Sequence, residues 1–187
     1  MKSREQMTKI IYAVRHCQAK GQSFDDELTN EGLIQALGLA EFFKGLEVDI
    51  IISSPFLRAI QTAAPLAEKK NLELHLDERL SERVMSGKSM EDWKDRLKDT
   101  FDDLSLAFEG GESNQSGLER VCSLLAEITA SKENHTVLVS HGNLTTLLLR
   151  FFDNSFGYDH LMSMTNPDVF KIILKHDGNA DIQRIWS

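Results

Sequence analysis

Two cysteines in 187 residues, Cys17 and Cys122, with no paired spacing, leave nothing from which to build a disulfide framework. They also fail to supply the close ligand pairs that a zinc site from His16, Cys17, Cys122 and His141 would need. No apolar run nears membrane-spanning length, and Met1-Lys2-Ser3-Arg4-Glu5-Gln6 lacks the apolar core of a secretory signal. Positive charge is scarce too. A formal net charge of -8 argues against nucleic acid or an anionic membrane as a partner. Internal repeats, low-complexity tracts, linkers and a Walker-type lysine loop are all missing. Together these absences predict a single cytoplasmic domain over residues 1–187, long enough to bury a full core.

What is present is an alternation of strand and helix signals, which predicts an α/β fold with a mostly parallel sheet. Apolar strands are expected at 9–14, 48–52, 72–76 and 136–139. A terminal hairpin is expected at 169–174 and 182–186, turning at Asp177-Gly178-Asn179. Thr29 should cap a helix running to about Lys44. Ser54 and Pro55 read as the N-cap and first residue of a helix to about Lys70, kinked or split by Pro65. A charged helix is expected over 89–108, broken by Gly110-Gly111, then an amphipathic one over 118–131. Asn143 should cap a last helix ending near Phe152.

Two short segments about 125 residues apart carry the chemistry. Val14-Arg15-His16-Cys17 and Val139-Ser140-His141-Gly142 each put a histidine directly after a buried strand, where open α/β sheets bind ligands. Between them, Ser53-Ser54-Pro55-Phe56-Leu57-Arg58 places an arginine in the first turn of a helix that also follows a strand. Taken singly, Arg58 reads as a solvated helix residue and either histidine as a core residue. Taken jointly, two histidines and two arginines at three strand ends form a trap for a phosphoryl group, because guanidinium forks match phosphate oxygens.

Cleaving a phosphate ester needs a nucleophile, compensation of oxyanion charge and a proton for the leaving alkoxide. His16 suits the first task if neutral, and Arg15 and Arg58 disfavour its charged form. A protonated His141 would donate to a phosphoryl oxygen, and helix starts near Ser54 and Asn143 would add backbone N–H groups. Glu82 is the candidate acid. Cys17 fails as the nucleophile of a cysteine phosphatase loop, which wants an arginine six positions on, where Ser23 stands. His75, His135, His160 and His176 read as structural or exposed. Asp25-Asp26 and Asp102-Asp103 read as solvated faces rather than metal ligands.

These segments resemble the histidine phosphatase superfamily, the phosphoglycerate mutase-like family, in order over nearly the whole chain. Arg15-His16 is similar to its Arg-His-Gly signature. Leu28-Thr29-Asn30-Glu31-Gly32 with Gln35-Ala36 resembles the helix start that follows. Ser53-Ser54-Pro55 through Arg58-Ala59 and Gln61-Thr62-Ala63 is a close match. Leu80-Ser81-Glu82 resembles the acid segment, Gly111-Glu112-Ser113 a loop before the penultimate helix, and Ser140-His141-Gly142-Asn143 the second histidine segment. The resemblance implies a three-layer α/β/α sandwich with a mixed, mostly parallel sheet. It implies a phosphorylated His16, a phosphate pocket of Arg15, Arg58 and His141, and Glu82 as general acid and then base, with no metal.

Gln22, Gly142 and Asn143 join Arg15, Arg58 and His141 as expected substrate contacts. Cys17, Gln18 and Gln22 depart from the family's usual glycine, glutamate and asparagine. The stretch after Glu82 is short for a glycolytic mutase and has Arg83-Val84-Met85 where a tyrosine is usual. A phosphatase acting on a small phosphorylated metabolite or a phosphoprotein is therefore favoured. The alternatives are a phosphoglycerate mutase, which alone would need a 2,3-bisphosphoglycerate primer, and a phosphate-binding module without turnover. Residues 83–115 are expected to cover the substrate.

Overall fold

The computed structural model describes residues 8–175 and 177–186; Met1–Gln6 and His176 lie outside them. One six-stranded sheet runs through the molecule in the order β3-β2-β4-β1-β5-β6. Its strands are β1 (Lys9–Arg15), β2 (Ile50–Ser53), β3 (Leu74–Leu76), β4 (His135–Ser140), β5 (Asp168–Leu174) and β6 (Ala180–Arg184). The first four are mutually parallel; β5 runs against them, and β6, antiparallel to β5, points the same way as the first four. The helices are α1 (Asn30–Phe42), α2 (Leu57–Lys70), α3 (Trp93–Asp102), α4 (Asn114–Ala130), α5 (Gly142–Phe152) and α6 (Tyr158–Ser163).

The strand period of two sorts the core into two layers. Tyr12 and Val14 of β1, with Val137 and Val139 of β4, face α1 and α2 through Leu39, Ala40, Ala59, Ala63 and Leu66. Ile11, Ala13 and Leu138 face the opposite way, onto Leu124, Leu125 and Ile128 of α4 and Leu144, Leu147 and Leu148 of α5. This is the expected α/β/α sandwich, and a fully buried side chain such as Leu147 contributes roughly 1.5–3 kcal/mol. No helix among the described residues is long and apolar enough to cross a membrane.

Several local expectations are corrected. Thr29 does cap α1, accepting from Gly32 N at 2.9 Å, but Ser54 and Pro55 precede α2, whose N-cap is Phe56. Pro65 sits inside α2 without splitting it, because Ala63, Leu66 and Ala67 on either side are buried against the sheet. His141, not Asn143, is the N-cap of α5. The helix expected over 89–108 is only α3, ended by Asp103, whose Oδ1 accepts from Ser105 N at 3.0 Å in a local turn. The excursion holding α3 is closed at its base. Glu112 N donates to Val84 O at 2.7 Å and Gly87 N to Glu109 O at 2.9 Å. The second hairpin strand begins two residues earlier than expected, and α6 had no sequence signal.

Candidate active site

The carboxyl ends of β2, β4 and β1 lie side by side. Arg15 pairs with Ser140 across the sheet, His16 N donates to Ser140 O at 2.9 Å, and Ser54 N donates to Val139 O at 2.9 Å. This register gathers Arg15, His16, Ser54 and His141 at one edge, and the first turn of α2 adds Arg58. The imidazoles of His16 and His141 have centroids 5.1 Å apart.

His16 is held as a specific tautomer. Its Nδ1 lies 2.6 Å from Cys17 O, so Nδ1 carries the proton and Nε2 the lone pair. Arg58 Nε donates to Nε2 at 3.3 Å. Burial pushes the His16 imidazole down to about 4, and the Arg58 and Arg15 charges push the same way against the Cys17 hydrogen bond. His16 is therefore neutral near pH 7.

His141 is fully buried, and its Nε2 lies 2.8 Å from Ser54 Oγ. Burial first, then His16, Arg58 and Arg15, hold it well below the usual imidazole range. A positive charge among these groups is costly, which opposes the protonated form in which His141 would donate to a phosphoryl oxygen. A neutral ring that accepts from Ser54 at Nε2 presents its Nδ1–H. That Nδ1 and Arg15 Nε are buried atoms without a hydrogen-bond partner among the described residues. Buried polar atoms rarely go unpaired, so these two mark where an acceptor fits.

The two arginines are braced from behind. Arg58, 1% exposed rather than solvated, donates through Nη1 to Ser23 O at 2.7 Å. Arg15 Nη1 donates to Met164 O at 3.0 Å. Burial lowers the Arg15 guanidinium, while Glu82 and Asp168 favour its charge. Gly142 allows this placement. A Cβ there would lie 3.3 Å from Arg15 Cζ and 2.9 Å from Leu161 Cδ1.

The start of α5 does not offer the open N–H groups expected of it. Asn143 N and Leu144 N both donate at 3.1 Å to the Glu82 carboxylate, which also accepts from Arg83 N at 2.9 Å. Glu82 reaches this position because Ser140 Oγ donates to Leu80 O at 2.7 Å. The Asn143 side-chain oxygen accepts from Arg83 Nε and Nη2 at 3.1 and 3.2 Å. Gln22 is exposed on its loop and makes no hydrogen bond among the described residues.

Sequence reasoning missed three supports. Arg83, 4% exposed, donates to Glu112 O at 2.6 Å besides facing Asn143. Arg120 grips Glu112 with two bonds of 2.8 Å and reaches Arg79 O and Ser81 O just before Glu82. Asn166 Nδ2 donates to His16 O at 2.8 Å. A lone arginine or asparagine gives no periodic signal, although Arg83 beside the candidate acid was a positional hint.

Cys17 is buried against Leu28 and Ala36, and burial pushes its thiol up to about 12, so it stays protonated. Among the described residues no three His, Cys, Asp or Glu side chains gather as a metal site. Of the other histidines, His135 is paired with Asp49 and Glu47.

Fold and strand-end chemistry together define the class as phosphoglycerate mutase-like α/β enzymes. The profile of the histidine phosphatase superfamily (branch 1) matches residues 11–184. Phosphoserine phosphatase 1 of Hydrogenobacter thermophilus is 32% identical over 71% of this chain and 70% of its own. The probable phosphoglycerate mutase GpmB of Salmonella choleraesuis is 30% identical over 71% of this chain and 69% of its own. The structure of a mycobacterial glucosyl-3-phosphoglycerate phosphatase with inorganic phosphate superposes with a TM-score of 0.78 at 26% identity, covering 95% of this chain and 96% of that one. The chain belongs to the histidine phosphatase superfamily, branch 1, and is a hydrolase of the phosphatase type.

Proposed function

We propose that this protein hydrolyses phosphomonoesters of small metabolites without a metal, through a phosphorylated His16. The observation that carries this reading is the pair of buried nitrogens without a hydrogen-bond partner among the described residues, Arg15 Nε and His141 Nδ1, beside the lone pair of a neutral His16. A phosphoryl group between them would accept from both and take over the Arg58 N–H that now points at His16 Nε2. Arg15 and Arg58 supply the positive charge that a developing phosphoryl oxyanion needs. His16 Nε2 then forms the N–P bond as the ester P–O bond breaks, and Glu82 gives a proton to the leaving oxygen. In the second half, water attacks phosphorus, Glu82 takes the proton, and the N–P bond breaks. Relatives named for phosphoserine and for glucosyl-3-phosphoglycerate support a small phosphorylated metabolite as substrate.

The test is phosphate release from a generic aryl phosphate in excess chelator, wild type beside His16→Ala. Chelator-resistant release that vanishes in the variant is expected; release at the wild-type rate from His16→Ala overturns the mechanism. The relative named as a probable mutase favours a second reading, phosphoryl transfer between positions of a phosphoglycerate. Isomerisation of 3-phosphoglycerate with a 2,3-bisphosphoglycerate primer, and little free phosphate, would establish it instead.

A further inference from the structure

The phosphate pocket leaves unexplained an aromatic rim beside it. Phe24 stands in the loop between His16 and Leu28 with 49% of its surface exposed. Its ring packs on Phe56, centroids 5.0 Å apart. Phe56 meets the His141 imidazole edge-on at 4.8 Å and carries Arg58 Cζ over its ring at 4.8 Å. The rings thus form an unbroken line from solvent to the second histidine of the pocket.

The position of Phe24 is set by the same helix turn that sets Arg58. Leu57 N donates to Phe24 O at 3.0 Å, Arg58 Nη1 donates to Ser23 O at 2.7 Å, and Ser23 N donates to Asp26 Oδ2 at 2.6 Å to close the turn. Its backbone is therefore pinned, and an apolar surface stands ready at the mouth before any ligand arrives. Preorganised apolar walls with a few fixed polar groups are how small-ligand sites gain affinity. The residues that follow Phe24 in the loop are acidic, whereas Lys20, earlier in it, is paired with Glu27. Asp25 and Asp26 follow Phe24, and Asp26 is close enough to favour the charge on Arg58. A leaving group bearing its own carboxylate would meet that negative rim.

We propose that Phe24 and Phe56 form a shelf for the alcohol portion of the substrate, and that the preferred substrates are phosphomonoesters of uncharged aromatic alcohols. The aromatic ring of the leaving group packs on Phe24 while its phosphoryl group occupies the pocket of Arg15, His16, Arg58 and His141. This rests on the hydrolase reading above and narrows it.

The experiment compares kcat/KM for benzyl phosphate and n-propyl phosphate, two primary alkyl esters of similar leaving-group basicity that differ by the ring. The wild type should favour the benzyl ester, and Phe24→Ala should lower that preference by about ten-fold, the scale of one aromatic contact with its burial. Phe24→Tyr, which keeps the ring, should preserve the preference. No preference in the wild type, or equal losses on both esters in Phe24→Ala, overturns the shelf. Calorimetric binding of phenylphosphonate against methylphosphonate reads the same contact without turnover. Tighter binding of the phenyl compound that Phe24→Ala abolishes upholds the shelf even in a chain that hydrolyses neither ester, an outcome that would sink the hydrolase reading alone. Equal binding of the two phosphonates overturns the shelf, and His16-dependent phosphate release would then leave the hydrolase reading standing.

Discussion

Arg58 donates its Nε–H to the one nitrogen of His16 whose lone pair is free, at 3.3 Å. The guanidinium therefore stands on the side of the ring from which His16 Nε2 would reach a phosphorus atom. In the proposed reaction a phosphoryl oxygen takes that N–H before His16 attacks, so engagement of Arg58 and exposure of the nucleophile would be one event.

The buried neutral histidines make stability depend on pH in a definite direction. His16 titrates near 4 in the folded chain, against an ordinary value of 6.5. Between these values the unfolded chain binds a proton that the folded chain refuses. The stability contribution is therefore complete above pH 6.5 and is lost as pH falls toward 4, by roughly 3 kcal/mol for His16; His141 acts in the same direction. Urea denaturation at pH 7 and pH 4 should show a smaller loss for His16→Gln than for wild type. Identical losses would contradict the buried neutral state.

Glu82→Gln keeps the carbonyl oxygen but cannot give up a proton. Turnover of an alkyl phosphate should fall by about 100-fold or more, whereas an aryl phosphate with a good leaving group should lose much less. Steady-state rates on both esters decide it, and equal losses would remove Glu82 from the acid role.

Thiol chemistry separates the two cysteines. Cys122 is exposed and Cys17 is buried with its thiol held protonated. Iodoacetamide on the folded protein should label Cys122 alone and leave phosphatase activity intact, as read by peptide mass mapping beside an activity assay. Rapid labelling of Cys17 in the native protein would show that its position is not closed.

Arg83→Met removes a buried cation that satisfies Glu112 O and the Asn143 side chain. Stranding those acceptors should cost about 1–3 kcal/mol, measured as a lower urea midpoint at unchanged slope. An unchanged midpoint would mean that water replaces the guanidinium without loss.

The strand ends were legible because periodicity reports burial, and a polar residue at the end of a buried run stands out. That logic picked out Arg15, His16 and His141, and read Ser54 only as a helix cap. It did not reveal that Ser54 partners His141 instead of capping a helix, because a serine before a proline looks the same in either role. The carboxylate that caps α5 comes from 61 residues earlier, and the amide that holds His16 O from 150 residues later. Such partnerships leave no local pattern. Charge run over 89–108 suggested one long helix, yet the Asp103 turn with Ser105 competes with helical hydrogen bonding and stops it. Gln22 was chosen through the family's loop, and it stands exposed on its own loop.

The closed base of the α3 excursion, where Val84 meets Glu112 and Gly87 meets Glu109, has a consequence for how such an enzyme diversifies. The chain leaves and re-enters the sandwich at almost one point, so what lies between can be lengthened or exchanged with little disturbance to the frame. Doubling a flexible loop of this kind costs only about 0.6 kcal/mol. Glu82 stands just before that closure, so the excursion could be exchanged without moving the residue that precedes it.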